Sequence, residues 1–185
     1  MTGGALTLSA RLKPGESLGD RVMKVNHAGE QGAVCIYRSQ RWIAALVAPS
    51  LVSELAENQI HEERHRAIFA AELARRGVRR CRSYWLCASG GTALGIVTAI
   101  LGRRAIAATT VAVEQVVLRH LDAQRAALQQ LDVLAVAAID DIAREEREHH
   151  DASRRAMGNA SWPLRMLMSV VSTATETVIW LGMRL

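Results

Sequence analysis

The chain has 185 residues, which fits a single domain large enough to bury a hydrophobic core. Half of the residues are hydrophobic and only three are proline, a composition that favours helices throughout and leaves no strand-rich region. The formal net charge of +5 comes mostly from arginine without interleaved aromatic side chains, so it argues against a nucleic-acid partner and favours a membrane surface.

The first predicted unit is a disordered lead-in at residues 1–17, followed by one domain at residues 18–185. The lead-in lacks the apolar stretch of a secretory signal, which indicates a cytoplasmic protein. Apolar residues at helical spacing then predict a helix that begins near residue 17 and ends near residue 47, with Glu30 on its inner side. Gly29 and Gly32 flank Glu30, and each costs a helix interior about 1 kcal/mol relative to Ala. Either a neighbouring helix, or a substrate channel or metal cavity, must therefore lie close to this backbone.

A second helix is predicted over about residues 50–76, before Gly77, a residue typical of helix C-termini. It carries Glu62 and His65, and residues three apart lie on one face of a helix, so the two side chains can bind the same ion. The stretch His61-Glu62-x-x-His65 also matches the zinc metalloprotease pattern. In that alternative His61 and His65 would bind zinc, and Glu62 would be the general base.

An apolar segment follows at residues 84–101. Its uncharged run is about 18 residues long, at the lower limit for crossing a bilayer. Arginines lie at both ends and aromatic residues at its start, which favours a helix that lies in or dips into one leaflet. A hairpin buried in the core is the alternative on the same length argument.

The third helix of the predicted bundle covers about residues 104–130 and carries Glu114. Glu114 stands in an apolar stretch, where a charge without a partner would cost several kcal/mol, and a bound metal would explain it. His120 lies six residues further on and is expected to point away from Glu114, towards the surface or the surroundings of the ligands.

The fourth helix, over about residues 132–157, carries Glu146 and His149, again three residues apart. One of the neighbouring acids is expected to orient a ligand imidazole. A last apolar helix at residues 162–185 contains no ligand. It either closes the bundle or joins the earlier apolar segment at the membrane.

The spacing of these residues is repeated within the chain. Glu62 follows Glu30 by 32 positions, and Glu146 follows Glu114 by the same 32. A shift of 84 positions superposes the first set of ligands on the second, as an internal duplication of a helical hairpin would. One Glu from each of two helices, with Glu-x-x-His from each of two others, is the metal-binding set of di-iron bundles. The sequence therefore predicts an all-α, ferritin-like four-helix bundle with two additional apolar, membrane-associated helices.

Four motifs, in their order and spacing, resemble the demethoxyubiquinone hydroxylase family: His27-Ala28-Gly29-Glu30-Gln31-Gly32-Ala33, Glu62-x-x-His65, Thr110-Val111-Ala112-Val113-Glu114 and Glu146-x-x-His149-His150-Asp151. The resemblance covers about residues 18–185. It implies two iron ions held by Glu30, Glu62, His65, Glu114, Glu146 and His149. It also implies an O2-dependent monooxygenase that hydroxylates the ring of a polyprenyl-methoxy-benzoquinol (demethoxyubiquinol) in ubiquinone biosynthesis. The reductant would be NADH or reduced quinone.

Two positions depart from the family pattern. Asn26 stands where the family usually has Asp, and Leu121 where many members have Tyr. The second departure weighs against the electron-transfer or ring-positioning role that the resemblance would imply for a His-Tyr pair at His120.

The resemblance further implies a lipid-dissolved substrate. We therefore expect a peripheral protein on the cytoplasmic face of a bacterial inner membrane, with the polyprenyl quinol and the lipid surface as partners. A lipid-binding accessory protein and a homo-oligomer are further expectations. Three alternatives belong to other classes: a ferritin-like protein that handles iron or peroxide, a membrane-associated zinc protease, and a non-catalytic carrier of quinone or lipid.

Overall fold

The computed structural model describes residues 9–185, and all of its regular structure in that range is helical. Six α-helices are joined by short connections, one of which contains a 3-10 turn at Pro49–Leu51. The helices are α1 (Leu18–Val47), α2 (Val52–Arg75), α3 (Tyr84–Ile100), α4 (Arg103–Leu128), α5 (Val133–Met157) and α6 (Trp162–Gly182). The predicted all-α class is confirmed, and each helix begins and ends within about one turn of its predicted bounds. Residues 1–8, part of the predicted lead-in, lie outside the described residues.

Local side-chain and backbone contacts set several of these bounds. Ser17 caps α1, because its hydroxyl accepts from the backbone N–H of Asp20 while the Asp20 carboxylate accepts from the backbone of Ser17. Gly77, just past the end of α2, adopts a positive φ of 64° and lets the next N–H bond back to the carbonyl of Leu73. The carboxylate of Asp132 caps α5.

Two similar three-helix units form the bundle. α1 packs along α2 and α3, and α4 packs along α5 and α6. Smaller contacts between α1 and α4 and between α2 and α5 join the two units. Fully buried side chains from both units fill the main core, among them Val22, Met23, Phe69, Leu128, Ile139 and Ile142. The duplication therefore extends to a third helix in each half: α1, α2, α4 and α5 form the bundle, and α3 and α6 lie against it.

Glycines allow α3 to approach α1 closely. A Cβ added at Gly91 would lie 2.3 Å from the carbonyl oxygen of Gly32, and one added at Gly95 would lie 2.4 Å from the carbonyl oxygen of Ile36. In contrast, a Cβ at Gly29 would meet no atom within 4 Å. Both interpretations of the glycines beside Glu30 therefore apply: Gly32 permits close helix packing, and Gly29 faces open space.

The outer faces of α3 and α6 are apolar and exposed. Trp85, Val97 and Ile100 on α3 and Trp162 and Trp180 on α6 are each more than half exposed. In the described part of the chain, no helix combines the length and the hydropathy needed to cross a membrane. α3 is one continuous helix with an exposed face, so the alternative of a buried hairpin is wrong.

Candidate metal centre

Six side chains from four helices meet inside the bundle. They are, in chain order, Glu30 from α1, Glu62 and His65 from α2, Glu114 from α4, and Glu146 and His149 from α5. The four glutamates and His65 are buried, whereas the side chain of His149 is 14% exposed. The structure thus brings together all six residues that the sequence singles out, and their binding of metal stays a prediction.

The donor atoms form two overlapping groups, and the atoms within each group lie within 4.8 Å of one another. The groups are Glu30, Glu62, His65 and Glu146, and Glu62, Glu114, Glu146 and His149. Glu62 and Glu146 belong to both. Two carboxylates shared between two sets of donors are suited to bridging a pair of ions, and each ion would then have one further Glu and one His of its own.

Both histidines point Nδ1 at the carboxylates. Nδ1 of His65 lies 3.0 Å from Oε1 of Glu146 and 3.8 Å from Oε2 of Glu62. Nδ1 of His149 lies 3.9 Å from Oε1 of Glu62 and 4.0 Å from Oε1 of Glu114. Each ring therefore offers the same nitrogen to its donor group and turns Nε2 outwards.

The outward nitrogens have different partners in the two halves. Nε2 of His65 lies 3.0 Å from Oε2 of Glu145, a carboxylate that Arg64 also contacts. Nε2 of His149 lies 2.9 Å from Nδ1 of His61. Glu145 and His61 are equivalent in the repeat, each four residues before a ligand histidine, and each supports the histidine of the other half. Glu145 is thus the acid predicted to orient an imidazole. The contact of His61 was missed, although the repeat pairs it with Glu145.

The site concentrates negative charge away from water. Burial raises the pKa of Glu30, Glu62 and Glu114 well above the ordinary carboxyl value, and the charge of Glu146 raises each further. Burial alone would lower the pKa of His65, but the carboxylate of Glu146 beside it and the other neighbouring carboxylates raise it to about 9. Protons or cations must compensate such a cluster.

The donor set fits a pair of iron ions. Within residues 9–185, neither carboxylate oxygen of Glu114 has a hydrogen-bond partner, and the same holds for Nδ1 of both His65 and His149. Buried polar atoms without partners are costly, and a metal ion satisfies them. Carboxylate and imidazole donors suit iron that binds O2, and cysteine sulfur, the ligand of softer sites, is absent from both groups.

The zinc-protease alternative lacks a matching geometry. The side chain of His61 is exposed and lies against His149, with the ring centroids 4.9 Å apart. His61 belongs to neither donor group, whereas Glu62 belongs to both. Since a zinc protease needs His61 and His65 on one ion, this arrangement does not favour it.

A cavity of about 260 Å³ reaches the four glutamates from the side of α3 and α6. Its walls are mostly small or apolar, and include Gly29, Ala33, Leu86, Leu94, Val113, Val117, Val171 and Ile179. The position suits an apolar ring that must approach the donor groups, because the walls exclude water from one side of the site.

Polar side chains also line this cavity. Asn26 and Gln124 exchange two hydrogen bonds of 2.8 and 3.0 Å between α1 and α4. His120 lies on the cavity wall, and its Nε2 is 2.7 Å from a carboxylate oxygen of Glu176 on α6. Of the two positions expected for His120, the surroundings of the ligands is therefore the one that the structure shows. Leu121, which replaces a family Tyr, is buried beside it.

Comparison with known proteins gives consistent matches. The chain is 33% identical to a 3-demethoxyubiquinol 3-hydroxylase of Rhodospirillum rubrum, over 98% of this chain and 86% of that protein. It is 31% identical to a protein of the same name from Paraburkholderia xenovorans, over 82% and 71% of the two chains. It is also 31% identical to a mitochondrial NADPH-dependent 3-demethoxyubiquinone 3-hydroxylase of Dictyostelium discoideum, over 89% and 76%. Residues 17–182 match the family described as Ubiquinone biosynthesis protein COQ7, and the chain belongs to that family.

Proposed function

We propose that this chain is an O2-dependent di-iron monooxygenase that hydroxylates the ring of a demethoxyubiquinol in ubiquinone biosynthesis. The observation that carries the proposal is the pair of overlapping donor groups at the end of an apolar cavity. The relatives named as 3-demethoxyubiquinol 3-hydroxylases support the reaction class.

The six residues have distinct places in this proposal. Glu30 and His65 would hold one iron, Glu114 and His149 the other, and Glu62 and Glu146 would bridge the two. When bound, reduced iron supplies the binding and activation of O2. The chain itself fixes the donor atoms, because Glu145 holds His65 and His61 contacts His149 from outside the site.

The cavity provides the binding site for the quinol ring. Its apolar walls exclude water and place a planar ring beside the carboxylates. Asn26 and Gln124 satisfy each other across the cavity wall, so either amide can turn to donate to a ring oxygen. His120, held by Glu176, is the titratable group placed to exchange a proton with a ring hydroxyl.

The outer faces of α3 and α6 are proposed to contact the membrane at the cytoplasmic face of a bacterial inner membrane. They expose large apolar side chains on the side of the bundle from which the cavity opens. Arg80 lies over the rings of Tyr84 and Trp85, and Arg184 lies over Trp180. Arginine beside aromatic rings is typical of a membrane interface, where the rings enter the lipid and the guanidinium faces phosphate.

The two electrons must come from outside the described chain. Residues 9–185 contain no strand, and so lack the strand–loop–helix fingerprint of a dinucleotide-binding fold. A transiently bound nicotinamide or reduced quinone is proposed as the donor. One relative's name describes NADPH dependence. A lipid-binding accessory protein and a homo-oligomer remain parts of the proposal.

A ferritin-like protein that handles iron or peroxide would use the same donor groups. It has no need for an apolar cavity beside the carboxylates or for the exposed faces of α3 and α6. These two features favour the hydroxylase.

Metal content tests the proposal first. Protein purified without oxygen is expected to contain two irons per chain and to lose them on Glu114→Ala. His61→Ala should keep at least the iron of the Glu30 and His65 group, because His61 lies outside both donor groups and contacts only His149. The iron-loaded protein should then hydroxylate a short-chain demethoxyubiquinol. One zinc per chain, lost on His61→Ala, would refute the di-iron site.

Binding to liposomes tests the membrane face separately. Ile100 on α3 is 67% exposed, and Ile60 on α2, away from α3 and α6, is 63% exposed. Ile100→Asp should weaken binding to anionic liposomes several-fold, and Ile60→Asp should leave it unchanged. Equal effects of the two variants would show that α3 is not part of the surface that contacts the membrane.

A further inference from the structure

A second cavity, of about 240 Å³, lies between α2, α4 and α5. It is lined by Leu51, Glu54, Leu55, Asn58, Arg103, Ile106, Ala107, Thr110, His149, Ala152, Ser153 and Ala156. Asn58 and Thr110 lie one helical turn before Glu62 and Glu114, and Ser153 lies one turn after His149. The second cavity therefore lies one turn beyond the donor group that contains Glu114 and His149. It shares none of these lining residues with the cavity under α3 and α6.

The internal duplication shows that the equivalent space, beside His65, is filled. A shift of 84 positions pairs Ala107 with Met23 and Ser153 with Phe69. Met23 and Phe69 are fully buried members of the main core. The same shift pairs Asn58 with Ile142, which is also fully buried. The equivalent space beside His65 thus holds three large apolar side chains, Met23, Phe69 and Ile142, where the second cavity has alanine, serine and asparagine.

The two ligand histidines differ in exposure in the way that this difference in packing predicts. The side chain of His65 has no exposed surface, whereas that of His149 is 14% exposed. Protein interiors leave few spaces larger than a water molecule, so a space of this size beside one of two equivalent ligands is a specific feature of the His149 side of the site.

The lining of the second cavity defines what fits it. Ala107, Ala152 and Ala156 present methyl groups, and Asn58 and Ser153 present uncharged polar groups. The charged side chains Arg103 and Glu54 neutralise each other in a salt bridge of 3.3 Å, each about half exposed. A water molecule takes about 30 Å³ of liquid volume, so the space holds several small molecules but offers no long apolar groove for a prenyl tail.

We propose that the second cavity is an access chamber through which small uncharged molecules, dioxygen and water among them, reach the Glu114 and His149 end of the site independently of the quinol. The inference rests on the proposed function for the identity of dioxygen as the molecule used. In this proposal the quinol ring binds in the cavity under α3 and α6, and the small reactant enters through the second cavity.

Refilling the second cavity with the side chains of the other half tests the proposal. The variants are Ala107→Met and Ser153→Phe, with Ala126→Met, at an exposed position of the same helix α4, as the control. Nitric oxide serves as the uncharged probe, added to the reduced iron-loaded protein while its binding is followed by absorbance. The rate should fall at least about tenfold in both cavity variants and stay unchanged in the control. Unchanged rates in the cavity variants would overturn the proposal.

Xenon gives a measurement that needs no iron and keeps the proposal testable if one variant fails to fold. Crystals of the protein under xenon pressure should show a xenon site beside His149 that is absent from Ala107→Met, while xenon under α3 and α6 is kept in both. If xenon binds only in the cavity under α3 and α6 of the unmodified protein, the proposal that the second cavity is an access chamber is refuted. Failure of the protein to hydroxylate a quinol would instead refute the proposed function and leave the xenon result standing.

Discussion

Alanine substitution at two adjacent glycines of α3 should change stability in opposite directions. A Cβ at Gly91 would lie 2.3 Å from the carbonyl oxygen of Gly32 and 3.0 Å from its carbonyl carbon. Favourable contacts need about 3.5 Å, so α1 and α3 would have to separate by roughly 1 Å. A Cβ at Gly90 would meet no atom within 4 Å.

The magnitudes follow from two opposing effects. Overpacking costs about 1–3 kcal/mol, and the upper half applies at Gly91 because the opposing atoms are helix backbone, which cannot rotate away. Alanine returns about 1 kcal/mol of helix propensity at either position. Gly91→Ala should therefore lower the free energy of unfolding by about 1–2 kcal/mol, and Gly90→Ala should raise it by up to about 1 kcal/mol. In a domain of this size each kcal/mol corresponds to about 2–4 °C in Tm.

Urea unfolding followed by circular dichroism measures both variants against the unmodified protein, and calorimetry gives Tm. A shift of both variants in the same direction would refute the close approach of α3 to α1. Gly91 also lines the cavity above the carboxylates, so separation of the two helices should alter quinol binding in Gly91→Ala and not the metal content.

Three further tests concern charged groups, two of them at the site and one at the start of α1. Glu145→Gln should weaken metal binding about 10- to 100-fold in titrations of metal-free protein. An unchanged affinity would show that Glu145 does not support the ligand histidine. In metal-free protein, the raised pKa values of the buried site glutamates mean that the folded state keeps protons the unfolded chain releases. Its free energy of unfolding should therefore fall as the pH rises above about 4.5 towards neutrality, and metal should abolish the fall, as calorimetry at several pH values would show. Burial alone would raise the pKa of Glu16, but hydrogen bonds from Arg21 and Lys24 lower it to about 2. The contribution of Glu16 to the free energy of unfolding is thus complete above about pH 4.5 and lost as the pH falls towards 2. In an acid titration, Glu16→Gln should therefore lose less stability over this range than the unmodified protein does.

The sequence is sufficient to predict the helices and the set of candidate ligands. Helix bounds follow from local features such as the Ser17 and Asp132 caps and the Gly77 terminus. The ligand set follows from the repeat, because equal spacing in two halves places equivalent side chains at equal heights. The sharing of Glu62 and Glu146 could not be predicted, since it depends on side-chain rotamers and on the placement of α2 against α5.

The place of His120 on the cavity wall does not follow from its spacing to Glu114. Residues six positions apart in a helix point in different directions, which predicts only that His120 does not join Glu114 as a ligand. The cavity wall on α4 instead follows Val113, Val117, His120 and Gln124, residues three or four apart. His120 on that stripe contacts Glu176 of α6, and the sequence alone does not place α6 above α4. His120 therefore belongs to the cavity through a neighbour that periodicity in one helix does not show.

The duplication gives two similar metal positions with unequal surroundings. His65 is fully buried and has the Glu145 carboxylate on its outer nitrogen, an arrangement that raises the basicity of a ligand histidine. His149 has the His61 ring there and borders the second cavity. An imidazole ring carries no negative charge and so supports a ligand less strongly than a carboxylate does, and access from solvent makes exchange easier. We therefore expect the Glu30 and His65 position to fill first in a metal titration, and the Glu114 and His149 position to bind more weakly and to exchange its small ligands faster. Two steps of unequal affinity that become equal in His61→Glu would show that these outer partners, and not the ligands themselves, distinguish the two ions.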